Sequence, residues 1–143
     1  MRIDELRRTP QQWAIMSTPS DASAAAASRT FDESIDDTIF DMVSSTASAV
    51  STTAPSRFHY REDRGVIWGD YTGDTVTVGR FSGYRDRDVL HVSFVHLGTD
   101  GTTTAGSATS VVSRTDDGVL ELTEDFVGPD GADHVSVCRE VRA

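Results

Sequence analysis

Glu124 stands in an alternating row with Leu120, Leu122 and Phe126. Alternation at this period reads as one face of a β-strand, so a single carboxyl sits among apolar neighbours. The pattern recurs along the chain. Leu90, Val92 and Phe94 share a row with His96; Val135, Val137 and Val141 share one with Arg139. Val66 and Trp68 share one with Asp70, and Phe58 shares one with Tyr60. A filled core avoids such groups, because an unpaired buried charge costs several kcal/mol and usually shifts its pKa instead. Either these groups pair across an interior, Glu124 with Arg139 for instance, or they line a cavity of the kind that binds small molecules. In a cavity, Glu124 or His96 would be the acid–base group, and Tyr60 and Arg139 would polarise a carbonyl. Phe58, Trp68, Phe94 and Phe126 would form apolar walls around the substrate.

Each residue also has a plainer reading. Glu124 and Arg139 would be an ion pair that specifies the fold, His96 a half-exposed hydrogen-bonded side chain, and Trp68 and Tyr60 core aromatics. The other face of the fourth strand carries His91, Ser93 and Val95, and a slip of one residue would exchange the two sets.

Several chemistries have no motif here. There is no Gly-rich phosphate loop followed by Lys, no dinucleotide fingerprint, no His-Glu-x-x-His, no EF-hand loop and no Gly-x-Ser-x-Gly elbow. His91 and His96 are five residues apart, which puts them on opposite faces of one strand and makes them poor joint ligands. Cys138 is the only cysteine, so neither an intramolecular disulfide nor a Cys-based zinc site can form. It reads as a small buried apolar residue. No metal and no cofactor are expected, which leaves shape, desolvation, hydrogen bonds and one acid–base residue as the tools.

The elements that would position these residues fill Arg57 to Arg142. Seven strands are predicted: Arg57–Glu62, Val66–Tyr71, Thr75–Tyr84, Val89–Leu97, Thr102–Arg114, Val119–Val127 and Asp133–Arg142. Between them lie turn residues such as Asp63-Arg64-Gly65, Thr72-Gly73-Asp74, Asp116-Asp117-Gly118 and Gly128-Pro129-Asp130-Gly131. Regular short spacing favours an all-β antiparallel meander, and closure into a small barrel would remove its exposed edges. Gly79 and Gly83, inside the third of these strands, are expected to mark bulges or bends.

Before Arg57 the pattern is looser. Ile3 and Leu6, with Trp13, Ile15 and Met16, suggest an amphipathic helix limited by Pro10. Ser17–Ser28 is rich in Ala and Ser and reads as a linker. Residues 1–28 are therefore expected to be a helical or irregular arm, acting as a lid, and residues 29–143 the barrel domain. Thr30-Phe31 would open a first strand. Ile35, Ile39, Met42 and Val43 have helical spacing, so Asp36–Val43 is expected to be a short helix or irregular cap. Ser44–Ser56 is compatible with an edge strand or a loop. The N-terminal segment would add one or two strands to the seven.

With 143 residues the chain suits one domain of average core size. Its formal net charge of −10 argues against nucleic acid and anionic membrane surfaces as partners. The apolar runs are too short to span a bilayer, and no basic stretch followed by an apolar run opens the chain, so a cytoplasmic protein is expected. The expected partner is an apolar small molecule, with a homodimer left open.

The series Phe58-His59-Tyr60, Tyr71-Thr72-Gly73 and Gly79-Arg80-Phe81-Ser82-Gly83 resembles a bacterial family of small lipocalin-like barrels. So do Gly101 with Gly106-Ser107, Asp117-Gly118 with Leu120-x-Leu122-x-Glu124, and the ending Ser136–Val141. The resemblance covers Thr30 to Arg142. Members are often labelled N-acetylglutamate synthase, but the chain carries no acetyl-coenzyme A loop and is too short for that enzyme's usual acetyltransferase fold. It departs from the family in its Met1–Ser28 extension, in Phe126 where a tryptophan is expected, and in Cys138-Arg139-Glu140 where a paired-acid ending is expected. Barrels that look like lipocalins include cyclases of bacterial specialised metabolism. By that analogy the chain would be a cofactor-independent cyclase or isomerase acting on an apolar polyketide-like substrate. A binding or carrier protein for an apolar small molecule, and a filled barrel working through a partner surface, are the alternatives.

Overall fold

The computed structural model describes residues 33–47, 50–128 and 130–142. Eight strands follow one another: β1 (Thr38–Ser45), β2 (Arg57–Asp63), β3 (Val66–Gly73), β4 (Val76–Asp86), β5 (Val89–Gly98), β6 (Thr103–Arg114), β7 (Leu120–Val127) and β8 (Asp133–Glu140). Each pairs antiparallel with the next, and β1 pairs with β8, so the sheet closes into a barrel with no free edge strand. The seven strands expected after Arg57 all form, each within about two residues of its predicted bounds, as regular turn spacing allows.

The eighth strand corrects one expectation. Asp36–Val43 is not a helix or cap, since β1 occupies most of it. The apparent helical spacing is incidental, because Ile39 and Val43 are exposed while Phe40 is buried and Met42 packs against the core. Closure decides the matter. β2 and β8 each need a partner, and among the described residues only this segment supplies both ladders. Ser44 and Ser45 end β1, and the rest of Ser44–Ser56 is the connection to β2. Thr30-Phe31 and the arm over residues 1–28 lie outside the described residues.

The strand glycines also act differently from expectation. The register shifts fall between Met42 and Ser44, Tyr71 and Gly73, and Val76 and Val78, not at Gly79 or Gly83. Instead, inward glycines make room for rings on the neighbouring strand. Gly69 lies opposite Phe81, Gly79 opposite Tyr71, and Gly106 opposite Phe94. A Cβ at Gly69 or Gly79 would overlap the facing ring, and one at Gly106 would come within 3.0 Å of Phe94 Cζ. Each ring thus lies over its glycine, a pairing that strengthens a sheet at positions weak in side-chain contacts.

Only part of the interior is filled. Ile35, Phe40, Ile67, Leu90, Val112, Leu120 and Leu122 are essentially fully buried, and none of them lines the cavity described below. The end formed by the β2–β3, β4–β5 and β6–β7 turns is sealed further by Arg85 and Glu62, whose buried side chains meet at 2.8 Å.

Candidate functional site

A cavity of about 600 Å³ occupies the other end of the barrel. Its rim includes Ala47, Asp74, Thr75, Thr102 and Gly128, from the β1–β2, β3–β4, β5–β6 and β7–β8 connections. The volume falls in the range typical of small-molecule sites.

One wall is aromatic. Phe58 and Tyr60 project inward from β2, Tyr71 from β3 and Phe81 from β4. Phe58 stacks on Tyr71 with centroids 4.8 Å apart, and Tyr60 packs on Phe81 at 4.5 Å. Phe94 on β5 and Phe126 on β7 also line the space. His96 lies one turn of the pleat beyond Phe94, and its Nδ1 is 2.8 Å from the Tyr71 hydroxyl. Burial lowers the pKa of His96 and raises that of Tyr71, so both are held neutral near pH 7.

Glu124 is the deep carboxyl. On β7 it lies directly opposite Ser110 of β6 and Ser136 of β8, both fully buried. Ser110 Oγ donates to Oε2 at 3.4 Å. Glu124 lines the cavity and is half-buried. That burial pushes its pKa up to about 7, against the opposing effect of the Ser110 hydrogen bond, with Asp125 adding to the rise. Burial, followed by the charge of Glu124, also raises the Tyr60 hydroxyl and the Cys138 thiol. Tyr60 and Cys138 therefore stay protonated at neutral pH, and Cys138 is the small buried residue that its sequence context implies.

Of the residues singled out in the sequence, Glu124, His96, Tyr60, Phe58, Phe94 and Phe126 come together around this cavity. Trp68 and Arg139 do not. Trp68 is 40% exposed on the outer face, with the Arg61 guanidinium 6.0 Å from its ring. Arg139 is on the outer face too, and its Nε is 3.1 Å from Glu121 Oε2, so it does not pair with Glu124. The rows of β3 and β8 are thus the reverse of those expected. Residues opposite one another across a ladder share a face. Phe58 opposite Tyr71, and Tyr60 opposite Gly69, turn Ile67, Gly69 and Tyr71 inward. Leu122 opposite Cys138, and Glu124 opposite Ser136, turn Ser136 and Cys138 inward and the β8 valines out. Sequence reasoning missed Tyr71, Phe81, Ser110 and Ser136. Gly69 and Gly79 were the available signal for the first two, since an inward glycine calls for a ring opposite. His91 lies outside, stacked on Tyr84 at 4.7 Å. Among the described residues no three His, Cys, Asp or Glu side chains are placed to hold a metal ion.

A closed eight-stranded antiparallel barrel with an apolar cavity open at one end is the architecture of barrels that hold one small ligand. A family model described as avidin-like protein matches residues 33–141, and the chain belongs to that family. Membership agrees with the small β-barrel family suggested by the sequence motifs, and it suggests small-molecule binding. The match says nothing of N-acetylglutamate synthesis. No curated protein and no solved structure matches the chain.

Proposed function

We propose that the protein binds one small, largely apolar molecule inside the barrel. The observation that carries this reading is the cavity of about 600 Å³, walled by aromatic rings and left unfilled by the core residues beneath it. A neutral fluorescent aromatic, N-phenyl-1-naphthylamine, tests it. The dye should bind with a single site per chain. Thr104→Trp, at an inward position near the rim, should weaken binding by about tenfold or more by filling the space. Trp68→Ala, on the outer face, should bind as the parent does. Absence of dye binding, or equal binding by the Thr104→Trp protein, would defeat the reading.

A second reading, a cyclase or isomerase without cofactor, draws support from Glu124. A carboxyl with a pKa of about 7 both accepts and donates a proton at neutral pH. With Arg139 outside, Tyr60 is left as the donor toward a substrate carbonyl. On this reading Glu124→Gln should reduce turnover of an isomerisable substrate by about an order of magnitude or more. Unchanged turnover would remove Glu124 from the chemistry.

A further inference from the structure

We propose that the ligand is an organic cation, an ammonium head on an apolar body, with the head seated against Glu124; this rests on the ligand-binding reading above. Three independent features converge on it.

The first is the setting of Glu124. Its partners across the two ladders are Ser110, whose hydroxyl donates to it, and Ser136, whose hydroxyl donates to Ser45 instead, and no arginine lines the cavity among the described residues. The chain has no lysine at all. The remaining basic group in the cavity, His96, is kept neutral by burial beside Tyr71. A carboxylate there has the Ser110 hydroxyl but no cation among the described residues lining the cavity, and a ligand cation would complete it.

The second is the distribution of charge along the barrel axis. The closed end carries Arg61, Arg64, Arg85, Arg87, Arg114 and Arg142, each within ion-pair distance of a carboxylate there. The connections at the open end carry Asp74, Asp100 and Asp130 and no arginine among their described residues; of the strand residues beside them, Asp133 starts β8, and Arg57 starts β2, where Asp41 neutralises it at 2.7 Å. One face of like charge at a cleft entrance concentrates ligands of the opposite sign. An anionic ligand would meet repulsion at the rim and again at Glu124.

The third is the lining itself. Phe58, Tyr71, Phe94 and Phe126 offer ring surface to an apolar body, and an aromatic face also attracts a cation as it sheds its water.

Three ligands of one shape and different charge test the proposal: 1-naphthylmethylammonium, 1-naphthalenemethanol and 1-naphthoate. Each would be titrated by displacement of N-phenyl-1-naphthylamine at about pH 8, where Glu124 is ionised. The ammonium should bind about tenfold or more tighter than the alcohol, as a charge-assisted contact warrants, and the carboxylate weakest of all. In Glu124→Gln the gap between ammonium and alcohol should close. An alcohol that binds as tightly as the ammonium would overturn the proposal while leaving the ligand-binding reading intact. A gap that persists in Glu124→Gln would also overturn it, by placing the preference at the rim. If the dye and all three naphthalenes fail to bind, the ligand-binding reading falls and the proposal falls with it.

Discussion

Ser110 and Glu124 face each other across the β6–β7 ladder, hydroxyl to carboxylate at 3.4 Å, and among the described residues no arginine lines the cavity beside them. So long a hydrogen bond does not offset the loss of water, and the carboxyl pKa rises to about 7 from an ordinary 4.5. Below about pH 4.5 the folded and unfolded chains both keep the proton, and Glu124 costs nothing. Between the two values the unfolded chain has released it and the folded chain has not, so the residue becomes progressively destabilising. The cost levels off above about pH 7.

Glu124→Gln should therefore be more stable than the parent at about pH 8 and equal to it at about pH 4. The shift sets a ceiling of about 3 kcal/mol, and water in the cavity brings the expected gain nearer about 1 kcal/mol. Thermal melts of both proteins across this range check the point. A difference independent of pH would show that burial of the charge is not the cause.

Tyr71 and His96 form another polar contact of the cavity, with the hydroxyl 2.8 Å from Nδ1. Since burial keeps both neutral, the hydroxyl should donate to Nδ1 and the imidazole should carry its proton on Nε2. Nitrogen chemical shifts should report that tautomer, with protonation at lower pH than for an ordinary histidine because burial disfavours the charged ring. Tyr71→Phe should cost about 1 kcal/mol and shift the tautomer balance toward Nδ1–H. A parent protein already protonated on Nδ1 at neutral pH would refute the assignment.

The legibility of the sequence differs from strand to strand for a physical reason. In β2 and β7 one row is much more apolar than the other, so Phe58 with Tyr60, and Leu120 with Leu122, declare the inner face unaided; in β5, Leu90, Val92 and Phe94 compete with Val89, Val95 and Leu97. From β7 comes Glu124, and from β5 His96. In β3 and β8 both rows hold apolar residues. Val66 and Trp68 compete with Ile67 and Tyr71, and the β8 valines compete with Ser136 and Cys138. Only the ladder to a neighbouring strand breaks that tie, and it is not visible from one strand alone. The misplacement of Trp68 and Arg139 follows. β1 was hidden for another reason: a bulge between Met42 and Ser44 interrupts its alternation and imitates a helical period.

The inward glycines should not be equivalent. A Cβ at Gly83 would overlap the His91 carbonyl oxygen and lie 2.8 Å from Val92 Cα, which are backbone atoms held in the β4–β5 ladder. At Gly106 the obstacle is the end of the Phe94 ring, which borders the cavity and has space to turn. Gly83→Ala should cost about 3 kcal/mol or more, and Gly106→Ala about 1 kcal/mol. Urea unfolding of the two variants measures both. The reverse order would show that the rings, not the backbone, set the packing limit.

The last prediction concerns the closed end. Glu62 Oε1 accepts from Arg85 Nη1 at 2.8 Å and from the Ile35 amide at 3.0 Å, and the two side chains are 12% and 6% exposed. Arg85 also donates to the carbonyls of Glu33 and Arg87. The pair thus ties the segment preceding β1 to β2 and β4. Glu62→Gln leaves a buried guanidinium facing a neutral amide, at a cost of about 3 kcal/mol that added salt should barely change. Asp63→Asn, which removes the exposed partner of Arg64, should leave stability unaltered. Ligand affinity should survive Glu62→Gln in the folded protein, since the pair sits away from the cavity lining. Denaturation with and without salt, followed by dye titration, separates these effects. If Glu62→Gln lowered affinity without loss of stability, the two ends of the barrel would be coupled, and their treatment as a sealed base and an independent binding mouth would be wrong.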